Sequence, residues 1–163
     1  MRRPATGFTL LELLAVMALV LIVLGIAVVR LDDSGERITR GQAEELSIRL
    51  EAARDEAVYS ARPVAFSSDG AGYQFWLGDS GRKQWMAMPA TSDLRPQALR
   101  GDVHILKQRV NGRESPLGER LVFAADGLSE PFSLTLEGGQ ARVQVIADAL
   151  GRITVETVPD DAP

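Results

Sequence analysis

Residues 13–29 read LLAVMALVLIVLGIAVV, seventeen consecutive positions without a charge, and nothing else in the chain narrows its fold so far. Adding Phe8 to Leu11 extends the apolar stretch to 22 residues, interrupted only by Thr9 and Glu12. As a helix rising about 1.5 Å per residue it measures roughly 33 Å, close to the ~30 Å hydrocarbon thickness of a bilayer. Arg2 and Arg3 precede it, and Arg30, Asp32 and Asp33 follow it. Basic residues ahead of the first span keep that end in the cytoplasm and send the rest outward.

Three fates of such a segment compete. A secretory signal peptide is cut after its apolar region at a small-x-small site. Gly25-Ile26-Ala27 provides one, and cleavage there would release an exported soluble binding domain starting at Val28. A plain signal anchor needs no cut. Neither accounts for Glu12. A carboxylate in a membrane helix costs up to about 2.5–3.5 kcal/mol at the helix centre, and such residues usually mark function. Tolerance of Glu12 at the interface is the plainer alternative.

The third fate uses every odd residue together. Gly7-Phe8-Thr9-Leu10-Leu11-Glu12 resembles the processing site of type IV pilins and type II secretion pseudopilins. The resemblance implies that a prepilin peptidase cuts between Gly7 and Phe8 and then N-methylates Phe8. It also makes Glu12 the family's assembly glutamate, at the fifth position after the cut. Cleavage creates an α-ammonium at Phe8, about 6 Å along the helix from Glu12. In a growing filament the Glu12 carboxylate of one chain can pair with that ammonium on its neighbour. In a low dielectric an unpaired charge is costly, so the pair would set register rather than catalyse anything.

Composition limits the rest. With no cysteine among 163 residues, disulfides, zinc–thiolate sites and cysteine nucleophiles are excluded. The net charge of -4 becomes -6 once Arg2 and Arg3 leave with the leader. An acidic chain is a poor general partner for nucleic acid, whose binding rests on neutralising phosphates.

After the apolar segment, Asp32-Asp33-Ser34-Gly35-Glu36 reads as a solvated hinge, since its spacing lacks the D-x-D-x-D-G pattern of a calcium loop. Thr39-x-x-Gln42 fits a capping box. Leu46, Leu50, Ala53, Ala57 and Ala61 then recur on one helical face, with Glu44, Glu51, Asp55 and Arg62 opposite and Glu45–Arg49 as an i,i+4 pair. Pro63 ends the helix. Beyond it, alternating runs separated by turn residues predict strands at 64–67, 73–77, 84–88, 103–110, 121–124, 132–136, 142–147 and 153–158. Residues 89–120 are the least regular part, with three prolines and the polar stretch Gln108–Gly118.

Several motifs lead nowhere. Gly78-Asp79-Ser80-Gly81 is similar to a serine-protease nucleophile signature, but the single histidine, His104, follows the serine, and Arg82 replaces a glycine. The four residues read as a turn between Trp76 and Trp85. Arg100-Gly101-Asp102 is a chance tripeptide. His104 has no second histidine with which to build a metal site. Trp76 and Trp85 read as core or cross-strand packing, with a contact surface as the alternative. No catalytic residue, metal site or cofactor is expected.

Later motifs narrow the family. The Tyr73-x-Phe75 strand, Trp85, Phe123-Ala124-Ala125-Asp126-Gly127 and Leu150-Gly151-Arg152-Ile153 resemble the GspH/FimT family, which joins minor pseudopilins to FimT-like minor pilins. Ala125 stands where that family usually has proline. Minor pilins often carry a C-terminal disulfide, and DNA-binding members end in Gly-Arg-x-Arg. This chain has no cysteine and reads Gly151-Arg152-Ile153-Thr154. The expectation is therefore a minor pseudopilin of type II secretion, with a FimT-like minor pilin as the alternative.

The expected fold is α+β and pilin-like. It has a leader (1–7), a transmembrane and filament-core helix (8–30), an amphipathic continuation (31–62) and a β-rich, sandwich-like domain (63–163). The resemblance implies a single-pass inner-membrane protein of a Gram-negative cell, its C-terminal domain in the periplasm, assembled into a pseudopilus. The implied partners are other minor pseudopilins, the major pseudopilin, prepilin peptidase and secreted exoproteins.

Overall fold

The computed structural model describes the backbone of residues 10–79, 81 and 84–158, and the side chains of these except 26–34. The chain divides into two compact units, Met1–Ser34 and Gly35–Pro163. Helix α1 runs over Leu10–Ser60 and contributes to both.

One local expectation fails along α1. The backbone of 32–36 is helical, and Thr39 lies inside the helix rather than at a start. Nothing there removes a backbone donor, and an isolated helical glycine such as Gly35 costs only about 1 kcal/mol. The Thr39 hydroxyl reaches back to the Gly35 carbonyl at 2.9 Å, as a threonine within a helix does. It also points to the Gly138 carbonyl at 3.3 Å.

The helix ends where Pro63 requires. The Arg62 amide bonds the Ala57 carbonyl at 3.2 Å, and the Ala61 amide bonds the Val58 carbonyl at 3.3 Å. This is a Schellman closure with Ala61 at φ 50°, a left-handed position usually given to glycine.

Ten strands follow: β1 (Val64–Ser68), β2 (Gly72–Asp79), β3 (Gln84–Ala87), β4 (Gln97–Ala98), β5 (His104–Val110), β6 (Arg113–Ser115), β7 (Leu121–Phe123), β8 (Phe132–Gly138), β9 (Ala141–Ala147) and β10 (Ile153–Val158). Among the described residues these ten form two five-stranded sheets. The first has the order β3-β2-β1-β7 with β4 also on β2, and the second β10-β9-β8-β5-β6. Every named pairing is antiparallel. Strands β4 and β6 were not expected. β4 is too short to show a period, whereas β6 follows Asn111-Gly112. Both of these residues have positive φ, 51° and 76°, which is the two-residue hairpin turn that joins β5 to β6.

In the Gly35–Pro163 unit, α1 and both sheets share one core. Ala43, Leu46, Leu50, Ala53 and Ala57 are fully buried on one helical face. Each leucine withdrawn from water there contributes about 1.5–3 kcal/mol, and the alanines permit close approach. Phe66, Tyr73 and Phe75 stack within 6.0 Å of one another in the first sheet, and Phe123 of β7 meets Phe132 of β8 edge-on, tying the sheets together. A bulge between Ile105 and Lys107 reverses the inward face of β5. Polar Gln108 is buried as a result, with Leu106 and Lys107 both facing outward before it.

Candidate assembly site

In the first unit, Glu12 lies near the start of the described part of α1. Gly7 and Phe8 lie outside the described residues. From Leu10 to Leu24 every large apolar side chain is exposed, from 44% at Val20 to 79% at Leu11. A helix apolar on all sides needs an apolar surrounding, whether lipid or other helices. Among the described residues no helix is long and apolar enough to cross a membrane. The expected span, 8–30, reaches at both ends into positions or side chains outside that set.

In the second unit, the described part of α1 is fixed to the β domain by polar side chains as well as by the core. Gln42 makes a reciprocal pair with the backbone of Arg100, donating at 2.8 Å and accepting at 2.6 Å. Arg49 donates to the Asp93 carbonyl at 2.6 Å, Arg54 to the Gly151 carbonyl at 2.5 Å and Arg62 to the Gly78 carbonyl at 3.0 Å. The acceptors sit in loops or at strand ends, and Arg62 reaches its own from just past the helix. Gly138 permits the closest approach, since a Cβ there would strike the Thr39 hydroxyl and lie 2.7 Å from Val103 Cγ2. None of these contacts is visible in local sequence, because each partner lies far along the chain.

The β9–β10 turn is built on Asp148. Its Oδ1 accepts from the amides of Leu150 and Arg152 at 2.8 and 3.0 Å, and its Oδ2 accepts from Arg152 Nε at 2.8 Å. The Arg152 amide first, with its guanidinium and the Leu150 amide, holds the Asp148 carboxyl below its usual pKa.

Trp76 and Trp85 are not in the core. The β2–β3 register sets them diagonally on the outer face of the first sheet, both half-buried. The guanidinium of Arg120 stands 4.5 Å from the centre of the Trp76 ring and 5.7 Å from that of Trp85. His104 is the partly exposed first residue of β5, its Nδ1 3.1 Å from the Asp102 carbonyl and its Nε2 3.9 Å from Glu137. Asp79 closes the turn after β2 by accepting from the Gly81 amide. Among the described residues no group of carboxylates and histidine could hold a metal ion.

An N-terminal helix with apolar residues on every side and a carboxylate in its first turn, and a second unit in which helix and two antiparallel sheets share a core, together define a pilin-like subunit. The family model described as "Type II transport protein GspH" matches residues 42–151, and the "Prokaryotic N-terminal methylation motif" matches residues 2–28. The chain belongs to the GspH family, the minor pseudopilins of type II secretion. It is 27% identical over 147 residues to type II secretion system protein H of Pseudomonas aeruginosa, covering 82% of this chain and 84% of that one. In fold it is similar to the minor pseudopilin EpsH of Vibrio cholerae, with a TM-score of 0.60, 16% identity and coverage of 73% and 96% of the two chains. GspH of Escherichia coli gives a TM-score of 0.57 at 18% identity, covering 78% and 95%.

Proposed function

We propose that the protein is made as a precursor, cut between Gly7 and Phe8 by prepilin peptidase, methylated on Phe8, and held in the inner membrane by residues 8–30 with the remainder in the periplasm. From there it joins the pseudopilus, in its tip complex, beside other minor pseudopilins and the major pseudopilin. The filament drives folded exoproteins through the outer membrane. The observation that carries this reading is the apolar helix with Glu12 in its first turn, in a chain whose second unit has the GspH fold. An apolar surface on every side has no use in water, and a carboxylate at its start has a natural partner in a neighbour's N-terminal ammonium.

The work assigned to the protein is binding throughout. Glu12 and Phe8 set register on assembly, the apolar helix packs into the filament, and the β domain meets neighbours or cargo. A clean deletion strain, assayed for exoenzymes in the medium and for surface pili, tests the assignment. The expected result is exoenzymes held in the periplasm while piliation persists. Intact secretion with lost piliation or DNA uptake would make the protein a minor pilin instead.

A further inference from the structure

Four of the edge strands are short: β3, β4, β6 and β7 have four, two, three and three residues. β10 is different. It has six residues and pairs with β9 alone, and its sequence Ile-Thr-Val-Glu-Thr-Val holds no proline, glycine or lysine to blunt it. A long unprotected edge is a template for a further strand. Which main-chain groups face that edge follows from the ladder, because alternate residues of an antiparallel strand bond to one neighbour. The Asp148 amide bonds the Arg152 carbonyl at 3.0 Å. Counting from that bond, Thr154 and Glu156 turn their amides and carbonyls to β9, and Ile153, Val155 and Thr157 turn theirs to the open side. Arg54 and Arg40 of α1 clasp only the ends of this side, at the Gly151 carbonyl and the Thr157 hydroxyl.

The side chains say which strand fits. Arg152, Thr154 and Glu156 are exposed on the outer face of the sheet. Glu156 makes no ion pair or hydrogen bond among the described residues. Arg152 holds Asp148 through Nε, and its two terminal nitrogens make no hydrogen bond there. If a second β10 runs antiparallel to the first with Thr154 opposite Thr154, each Arg152 stands opposite the other copy's Glu156, and each Ile153 opposite a Val155. The same register makes Ile153 and Val155 the hydrogen-bonded pairs, and theirs are the main-chain groups that face the open side. Neighbouring registers fit worse. Centred on Val155, the charges would face Thr154 and Val158, and centred on Glu156, two carboxylates would oppose each other, which destabilises a pair of strands.

We infer that the open edge of β10 pairs with β10 of a second copy of this chain, antiparallel and centred on Thr154, so that their two β10-containing sheets become one. The strand matches itself in charge, in side-chain face and in main-chain direction at a single register. The inference goes beyond the secretion role and requires only a second copy, so a deletion strain that still secretes would leave it standing.

The chain has no cysteine, so a single introduced one reports the contact cleanly. Residues opposite each other in a non-hydrogen-bonded antiparallel pair have Cα atoms about 4.5 Å apart, within the roughly 4.4–6.8 Å that a disulfide spans. Full-length Thr154→Cys, oxidised in membranes of its own cells, is therefore expected to give a disulfide-linked dimer of this chain. Thr135→Cys, on the same outer face but in mid-sheet, should give about tenfold less at equal abundance, since only random collision brings two copies together there. Adding Glu156→Arg to Thr154→Cys is expected to lower the dimer about tenfold, because arginine then stands opposite arginine. If that variant fails to accumulate, Glu156→Gln decides by the same readout, with a smaller loss expected. No dimer, a disulfide only to another protein, an equal yield from Thr135→Cys, or a yield indifferent to the charge at position 156 overturns the inference.

Discussion

Ala61 holds a backbone conformation that costs an L residue about 1–2 kcal/mol, because its Cβ crowds the neighbouring carbonyl. The Schellman closure needs that conformation and Pro63 forbids further helix, so the position is fixed by its surroundings. Ala61→Gly is expected to stabilise the protein by about 1 kcal/mol, after allowance for the greater freedom of glycine when unfolded. A higher urea midpoint of the detergent-solubilised chain checks this, and an unchanged or lower midpoint contradicts it.

Tyr73 gives a second test at this scale. Burial first of all pushes its pKa from 10.0 to about 12. Glu45 pushes the same way, and Arg49 and Arg100 pull back. Between those values the unfolded chain has lost a proton that the folded chain keeps, so stability falls as pH rises through the window. Its contribution is whole below pH 10.0 and lost above about 12. Tyr73→Phe should flatten that part of the stability profile and remove a late step from the phenolate absorbance titration. A profile unchanged by the substitution would place the loss elsewhere.

Among the elements, the union of α1 with the β domain rests on backbone carbonyls that accept from helix side chains, and Gly138 is its tightest point. Gly138→Ala is expected to cost about 1–3 kcal/mol, the usual range for overpacking, read as a lower unfolding midpoint with the helix and strand signal retained. No loss would mean that Thr39 and Val103 yield freely. The strands β8 to β10 were legible in the sequence, because Phe132, Leu134 and Leu136 and then Val143 and Val145 alternate with polar residues and face one core. The helix face was legible for the same reason. Strand β6 had its signal in Asn111-Gly112, masked by the polar residues around it. The burial of Gln108 was not legible, since one bulge reverses the alternation on which the reading depends. Thr39 and Gln42 carry capping chemistry in their side chains, but their partners, Gly138 and Arg100, are brought close only by the fold. The stack of Arg120 on two tryptophans has no local signal at all.

For the molecule as a whole, the two units carry different tasks. The N-terminal one offers apolar surface with Glu12 at its start, and the other offers a rigid two-sheet domain. If Glu12 sets register with a neighbour's ammonium, Glu12→Leu should insert into the membrane normally yet fail to assemble. Secretion by that strain is expected to fall toward the level of the deletion strain at equal protein abundance, because the neighbour's charge is left unpaired in a low dielectric. Wild-type secretion by the variant would reduce Glu12 to a tolerated interfacial residue.

If the chain works as a processed, membrane-held subunit, the intact mass of the protein purified from its host membranes records it. The mature chain is expected to begin at Phe8 and to carry one N-terminal methyl group. A chain beginning at Val28 would make it an exported soluble domain, and one that keeps Met1 would make it a plain signal anchor; either contradicts the account.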